Sequence, residues 1–80
     1  MKYAVVIEKA QNNFSAYVPD LPGCIATGCT KEDCLREIEE AIAFHLEGMQ
    51  LAGLPIPQPS AWAQFVEVPP MVPPGGAAVA

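Results

Sequence analysis

The side chains with the widest chemical range in this sequence are three cysteines and one histidine: Cys24, Cys29, Cys34 and His45. Such residues could bind zinc, but structural zinc sites usually hold their cysteines in pairs roughly two to four residues apart. Here the cysteines follow one another at intervals of five residues, which places Cys24 and Cys29 on opposite faces of an extended segment. The spacing therefore favours small buried or half-buried thiols over a metal site, and we expect neither a cofactor nor a disulfide framework.

Carboxylates are the second group that could carry chemistry, because two-metal hydrolysis needs several of them converging on ions about 4 Å apart. Those nearest the predicted strands are Glu8 at a strand end, Asp20 in a proline-rich turn, and Glu67 near the exit of the last strand. On the predicted helix Glu39 and Glu40 are adjacent, so their side chains diverge by about 100°. This pattern favours solvent-facing charges and a turn-closing aspartate, and we expect a protein without enzymatic activity.

The stretch 17–30, with the sequence YVPDLPGCIATGCT, is the joint around which the chain is organised. Its first part predicts a compact turn, since the prolines fix φ, an aspartate can bond its own backbone, and a glycine can adopt positive φ. The turn consists of Pro19, Asp20, Leu21, Pro22 and Gly23. Thr30 then predicts a helix N-cap, with Asp33 three residues further on. We assign these residues a structural role.

Three short segments, residues 2–9, 14–18 and 24–28, predict the strands of an antiparallel meander. In the first of them, Tyr3, Val5 and Ile7 point to one face of the sheet and the intervening side chains to the other. Residues 62–68, WAQFVEV, predict a fourth strand that follows a helical crossover and lies parallel to the first. The predicted fold class is therefore α+β, in the order β-β-β-α-β, with strand order 3-2-1-4 and the helix on one face.

Residues 31–52 predict the helix, which ends at Gly53. Its apolar positions form a stripe that we expect to pack on the sheet. The stripe contains Leu35, Ile38, Ile42, Leu46 and Met49, flanked by Cys34, Ala41 and His45.

The opposite face of the helix carries three acidic residues, Glu37, Glu40 and Glu47, and two large apolar residues, Phe44 and Leu51. Isolated apolar residues are common on protein surfaces. Phe44 and Leu51 are seven residues apart, however, and a domain this small gains from extra burial. We favour a contact seam, used either for self-association or for binding a partner.

The 80 residues include nine acids and four bases, which gives a net charge of −5. This charge argues against a nucleic-acid-binding protein and is compatible with a basic protein partner. The small core predicts a homo-oligomer, either a dimer or a tetramer. No apolar run is long enough to span a membrane and the N-terminus lacks signal-peptide features, so we expect a cytoplasmic protein.

With these elements in place, the chain resembles the HicB-like antitoxin family over roughly residues 2–68. The resemblance rests on an ordered set of segments: YAVVIEK, FSAYVPDLPGC, ATGCT at the helix start, EEAIAFHLEGM and PIPQPS. It implies a truncated, partly degraded ribonuclease-H-like fold. It also implies a protein that neutralises HicA-type toxins, which are small basic mRNA-cleaving proteins with a double-stranded-RNA-binding-like fold.

The chain departs from the family at its C-terminus. Full antitoxins of this family commonly add a DNA-binding domain, whereas residues 69–80, PPMVPPGGAAVA, predict a flexible tail after a domain of residues 1–68. We therefore expect a short, solitary-type member that does not bind DNA directly. Two alternatives stay open: a solitary homo-oligomer that has no toxin and, more remotely, a metal-dependent ribonuclease-H-like hydrolase.

Overall fold

A computed structural model describes residues 1–71 of the chain. Its elements are β1 (Val6–Lys9), β2 (Phe14–Tyr17), β3 (Ile25–Gly28) and α1 (Lys31–Leu51). The three strands form one antiparallel sheet in the order β1-β2-β3. The predicted meander and single long helix are therefore confirmed, although each strand is shorter than predicted. The predicted tail of residues 69–80 lies mostly outside the described residues.

The register of the sheet separates its two faces. Ile7 pairs with Ala16, which pairs with Ala26, and all three belong to or pack against the core beneath the helix. The neighbouring row of Val6, Tyr17 and Ile25 lies on the other face, because successive side chains of a strand alternate. The predicted alternation in the first strand is confirmed, since Tyr3, Val5 and Ile7 all pack against the core.

The two ends of α1 lie where the capping residues predicted them. Thr30 is the N-cap, and its hydroxyl oxygen accepts a hydrogen bond from the Asp33 amide at 3.0 Å. The helix ends at Leu51, and Gly53 follows with a φ of 72°. Gly28 also fixes the helix start, because a Cβ at this position would lie 2.4 Å from the Cys34 nitrogen.

The core is small and is centred on the turn and on the first half of the helix. Its buried residues are Ala16, Val18, Leu21, Cys24, Cys34 and Ile38. The predicted helix stripe needs one correction, since Leu35 is 42% exposed whereas Cys34 is fully buried. The helix packs mainly against β3, less against β2 and least against β1, and this off-centre position rotates the buried stripe toward Cys34 and away from Leu35.

The predicted fourth strand is not present in the described part of the chain, so the strand order 3-2-1-4 is corrected to β1-β2-β3. Residues 62–71 have no regular secondary structure. The reason lies just before them, where Ser60 and Ala61 are hydrogen-bonded to Asp20 beyond the end of the central strand. A fourth strand beside β1 would lie two strand spacings, about 10 Å, from β2. The chain is therefore held away from the place where it would have to begin.

Within residues 1–71, no helix combines the length and hydropathy that crossing a membrane requires.

Candidate partner-binding surfaces

The turn at residues 19–23 is built from its own hydrogen bonds. The Leu21 amide donates to the Val18 carbonyl and the Cys24 amide to the Leu21 carbonyl, each at 3.0 Å. Gly23 has a φ of 84°, a conformation that other residues adopt at a cost. These bonds let Leu21 enter the core with no exposed surface. The compact turn is observed, but its own backbone closes it. The turn-closing role predicted for Asp20 is wrong, since the hydrogen bonds that the structure shows for its carboxylate come from Ser60 and Ala61.

Asp20 has a role that sequence reasoning missed. One carboxylate oxygen accepts a hydrogen bond from the Ser60 hydroxyl at 2.7 Å, and the other accepts from the amides of Ser60 and Ala61 at 3.1 and 3.2 Å. These bonds, that of the Ser60 hydroxyl first, hold the pKa of the Asp20 carboxyl below its ordinary value. Asp20 thus anchors a segment 40 residues away, a pairing that local pattern could not reveal.

A second contact holds the same segment near the start of the sheet. The Tyr3 hydroxyl donates a hydrogen bond to the Pro57 carbonyl. Residues 57–61 are therefore fastened at two points, next to the approach to β1 and next to the turn after β2. The prolines at alternate positions of this segment keep it extended between the two points.

The outer face of α1 is the surface that the sequence predicted for partner binding. Glu37, Glu40 and Glu47 are exposed, and Phe44 and Leu51 are 79% and 83% exposed. Among the described residues, the ion pair present is Arg36 with Asp33, so the three glutamates have no basic partner within residues 1–71. The face thus presents unneutralised acid beside large apolar side chains, a combination suited to a basic protein surface with an apolar patch.

A groove of about 380 Å³ runs along one flank of the helix, between its C-terminal half and the N-terminus of the chain. It is lined by Met1, Ala43, Leu46, Glu47, Gln50 and Ile56. Sequence reasoning missed the groove, because its walls come from three separated parts of the chain.

Residues 62–71, which we call the arm, form the most exposed apolar segment of the described part of the chain. Its large apolar side chains, 70% to 95% exposed, are Trp62, Phe65, Val66, Val68 and Met71. Within the arm, the one hydrogen bond that the structure shows joins the Gln64 amide group to the neighbouring Phe65 carbonyl at 3.3 Å. Monomeric soluble proteins rarely expose contiguous apolar patches larger than a few hundred Å², so the arm is a candidate interaction segment.

The residues singled out for chemistry are dispersed. Cys24 and Cys34 are buried and Cys29 is exposed, and burial raises the pKa of the Cys24 thiol. Glu8 and Glu67 are exposed, the first at the end of β1 and the second in the arm. Over residues 1–71, the structure brings together no three cysteine, histidine or acidic side chains in a group that could hold a metal ion.

Comparison with known proteins shows two kinds of similarity, to a family and to individual relatives. A family model described as "HicB_like antitoxin of bacterial toxin-antitoxin system" matches residues 3–72. An "uncharacterized 14.9 kDa protein in rep-hol intergenic region" of Haemophilus phage HP1 is 35% identical over 69 residues, covering 86% of this chain and 52% of the relative. A UPF0150 protein of Thermoplasma acidophilum is 39% identical over 62 residues, covering 76% of this chain and 90% of that protein. This chain therefore spans about half the length of the phage relative.

Among solved structures, the chain is similar to one from a "HicA3 and HicB3 toxin-antitoxin complex". The TM-score is 0.65 at 37% sequence identity, and the match covers 74% of this chain and 70% of the other. The family match includes the sheet, the helix and the proline-rich segment, so the similarity does not rest on a single motif.

Proposed function

This chain belongs to the HicB-like antitoxin family of bacterial toxin–antitoxin systems, and on this basis we propose that it binds and neutralises a small basic toxin of the HicA type. The observation that carries the proposal is the likeness to a chain of a HicA3 and HicB3 toxin-antitoxin complex, at 37% identity. An antitoxin of this kind acts by covering its target, so it needs a binding surface and no catalytic centre. We accordingly assign none of the carboxylates or thiols a catalytic role.

The outer face of α1 is our candidate for the toxin-binding surface. Its three glutamates are exposed, and the whole chain carries a net charge of −5. A basic toxin would be steered toward such a face by opposite charge, and Phe44 and Leu51 would supply the apolar contact at its centre. We expect the complex to weaken as salt concentration rises, because the Debye length falls to about 8 Å at physiological ionic strength.

A solitary homo-oligomer without a toxin is the second candidate. Its support is the exposed apolar surface of Phe44, Leu51 and the arm, which a small domain would be expected to cover. Assembly into a dimer or tetramer, a cytoplasmic location and the partly degraded ribonuclease-H-like origin of the fold all stay predictions.

The test is to titrate the chain into a purified HicA-type toxin and to follow both the binding heat and the cleavage of an mRNA substrate. We expect cleavage to stop at a stoichiometric ratio. Glu40→Lys should weaken binding roughly five- to tenfold at low salt, an effect of about 1 kcal/mol or slightly more. Phe44→Ser combined with Leu51→Ser should weaken it further without loss of helix content.

The matched control is Glu39→Lys, which makes the same change of charge at the adjacent exposed position but points about 100° away. Equal effects of Glu39→Lys and Glu40→Lys would mean that net charge alone matters and that this face is not the interface. A folded chain that neither binds the toxin nor slows cleavage would contradict the antitoxin proposal and favour the solitary oligomer.

A further inference from the structure

We propose that the arm of one molecule pairs as an added strand with β1 of a second copy of this chain, and that a reciprocal exchange of arms forms a dimer. The fourth strand that the sequence of residues 62–68 predicts would then form between molecules instead of within one. The proposal concerns self-association and does not depend on the identity of any toxin.

The arm itself supplies the first argument. Its residues 62–68, WAQFVEV, are rich in β-branched and aromatic side chains, yet the large side chains among them are at least 70% exposed. A segment of this composition gains most from a pleated, half-buried environment. Within the described part of its own molecule, the arm does not occupy such an environment.

The anchor at Asp20 supplies the second argument. Asp20 fixes Ser60 and Ala61 beyond the end of β2, so the arm leaves from the middle of the sheet end, displaced from its own β1 edge. The same anchor gives the arm a fixed starting point, which lowers the entropy lost when it pairs with another molecule. From this starting point, we expect the arm to pair with β1 of a second molecule.

The edge of β1 supplies the third argument. Within residues 1–71, Val6–Lys9 pairs with β2 on one side and with no strand on the other. An edge of this kind presents unpaired backbone groups that template an incoming strand. Met1, which precedes β1 in the chain, lines the groove together with Leu46, so an added strand that continued past the start of β1 would approach it. Seven residues span about 23 Å, enough to cover β1 and the residues that precede it.

Charge decides between a second copy and a basic toxin as the occupant. Residues 61–71 contain a single charged residue, Glu67, so the arm offers little that would select a basic partner. The acceptor and the arm also belong to the same chain, which satisfies the self-complementarity of a two-fold dimer interface.

The experiment measures molar mass by light scattering over a dilution series of the full-length chain, with helix content followed by circular dichroism. We expect wild-type protein at twice the chain mass of 8.5 kDa, and a dimer dissociation constant raised about tenfold or more by Trp62→Ser with Phe65→Ser. Neither residue belongs to the core, so helix content should not change. The control is Leu54→Ser, which changes a 54% exposed apolar side chain outside the arm, and we expect it to leave the mass unchanged.

Two proline variants test strand pairing as opposed to side-chain packing. Successive amides of a strand point in opposite directions, so only one of Ala63→Pro and Gln64→Pro removes a donor to β1. We expect one variant to weaken the dimer and the other to affect it little. In the wild-type dimer, we expect the outward-facing amides of β1 to exchange slowly with solvent. The proline variant that weakens the dimer should lose this protection.

Several outcomes would overturn the proposal. A chain that stays at a single chain mass, or a dimer that is insensitive to the arm variants, excludes arm exchange. Equal effects of both proline variants exclude strand pairing. If the amides of the arm become protected from hydrogen exchange only when a HicA-type toxin is added, the arm binds the toxin and not a second copy of the chain. Failure of the helix-face variants to affect toxin binding would leave the arm result intact, so the two proposals fail separately.

Discussion

Residues 18–24 and the arm contrast sharply, although both lack regular secondary structure and both contain prolines next to large apolar side chains. In the turn, Leu21 is fully buried, whereas in the arm Phe65 is 95% exposed. The composition of the two segments does not explain this difference. The explanation lies in where the backbone polar groups of each segment find their partners.

The turn bonds to itself. The Val18 amide reaches the Cys24 carbonyl at 3.3 Å, and the bonds between Val18, Leu21 and Cys24 lie inside that loop. Because buried backbone groups must be hydrogen-bonded, this closure is what allows the turn to enter the core. The arm would need the backbone of another strand for the same purpose. An apolar segment therefore becomes core only where its backbone can also be satisfied.

The largest effect on stability is expected when one apolar side chain is truncated in each of the two segments. Leu21→Ala should lower the free energy of unfolding by about 2–5 kcal/mol, because it leaves a cavity in a fully packed site. Phe65→Ala should leave the stability of the single domain nearly unchanged. Urea denaturation at concentrations where wild type is a single chain measures both. Equal losses would show that the arm contributes to the core of its own molecule.

A smaller effect is expected from the backbone of the turn. Gly23→Ala places a side chain at a φ of 84°, with no atom within 4 Å of the new Cβ, so the cost is conformational and amounts to about 1–2 kcal/mol. Gly48→Ala is the control, since its Cβ also meets no atom within 4 Å but lies in the helix, where alanine is favoured by up to about 1 kcal/mol. A stabilised Gly23→Ala variant would contradict the proposed role of the turn.

Asp20 connects the turn to the start of the arm, and the stability of this connection should depend on pH. The Ser60 hydroxyl and the amides of Ala61 and Ser60 lower the pKa of its carboxyl below the ordinary value of 3.8. The pKa of Asp20 is lower in the folded state than in the unfolded state. The hydrogen bonds to Asp20 therefore stabilise the fold above about pH 3.8, and this stabilisation is lost as the pH falls through the folded-state pKa. We expect the Ser60 and Ala61 amides to lose protection from hydrogen exchange on that acidification.

The variant Asp20→Asn should produce the same loss at neutral pH, because an amide group has a single acceptor oxygen. Glu67→Gln, which neutralises a carboxylate within the arm, is the control and should leave those amides protected. Persistence of protection in Asp20→Asn would show that Tyr3 alone anchors the segment.

The smallest effect concerns thiol reactivity and checks how tightly the turn is closed. Cys24 is buried and its thiol pKa is raised, whereas Cys29 is exposed. Reaction with a thiol reagent near neutral pH should show one fast cysteine, lost in Cys29→Ser, because the thiolate is the reactive form. A fast phase that disappears in Cys24→Ser instead would mean that the turn opens readily.

Much of the fold followed from local signals. Thr30 and Gly53 marked the helix ends because capping depends on residues within a turn of the terminus. The alternation of Tyr3, Val5 and Ile7 gave the inward face of the first strand. Leu35 was placed wrongly because periodicity fixes the direction of a side chain around the helix axis but not where the helix rests on the sheet. The outer face of α1 followed from periodicity, whereas its role in binding stays a proposal.

The sequence by itself determined the order of the three strands and the helix, the ends of the helix, the compact turn and the acidic outer face of the helix, since each depends on residues close together in the chain. Only the tertiary structure decided that Asp20 bonds to Ser60, that the helix sits over β3, and that residues 62–68 do not extend the sheet. These outcomes depend on which distant groups meet, as Asp20 and Ser60 do across 40 residues of the chain, and strand propensity, which is local, does not contain that information.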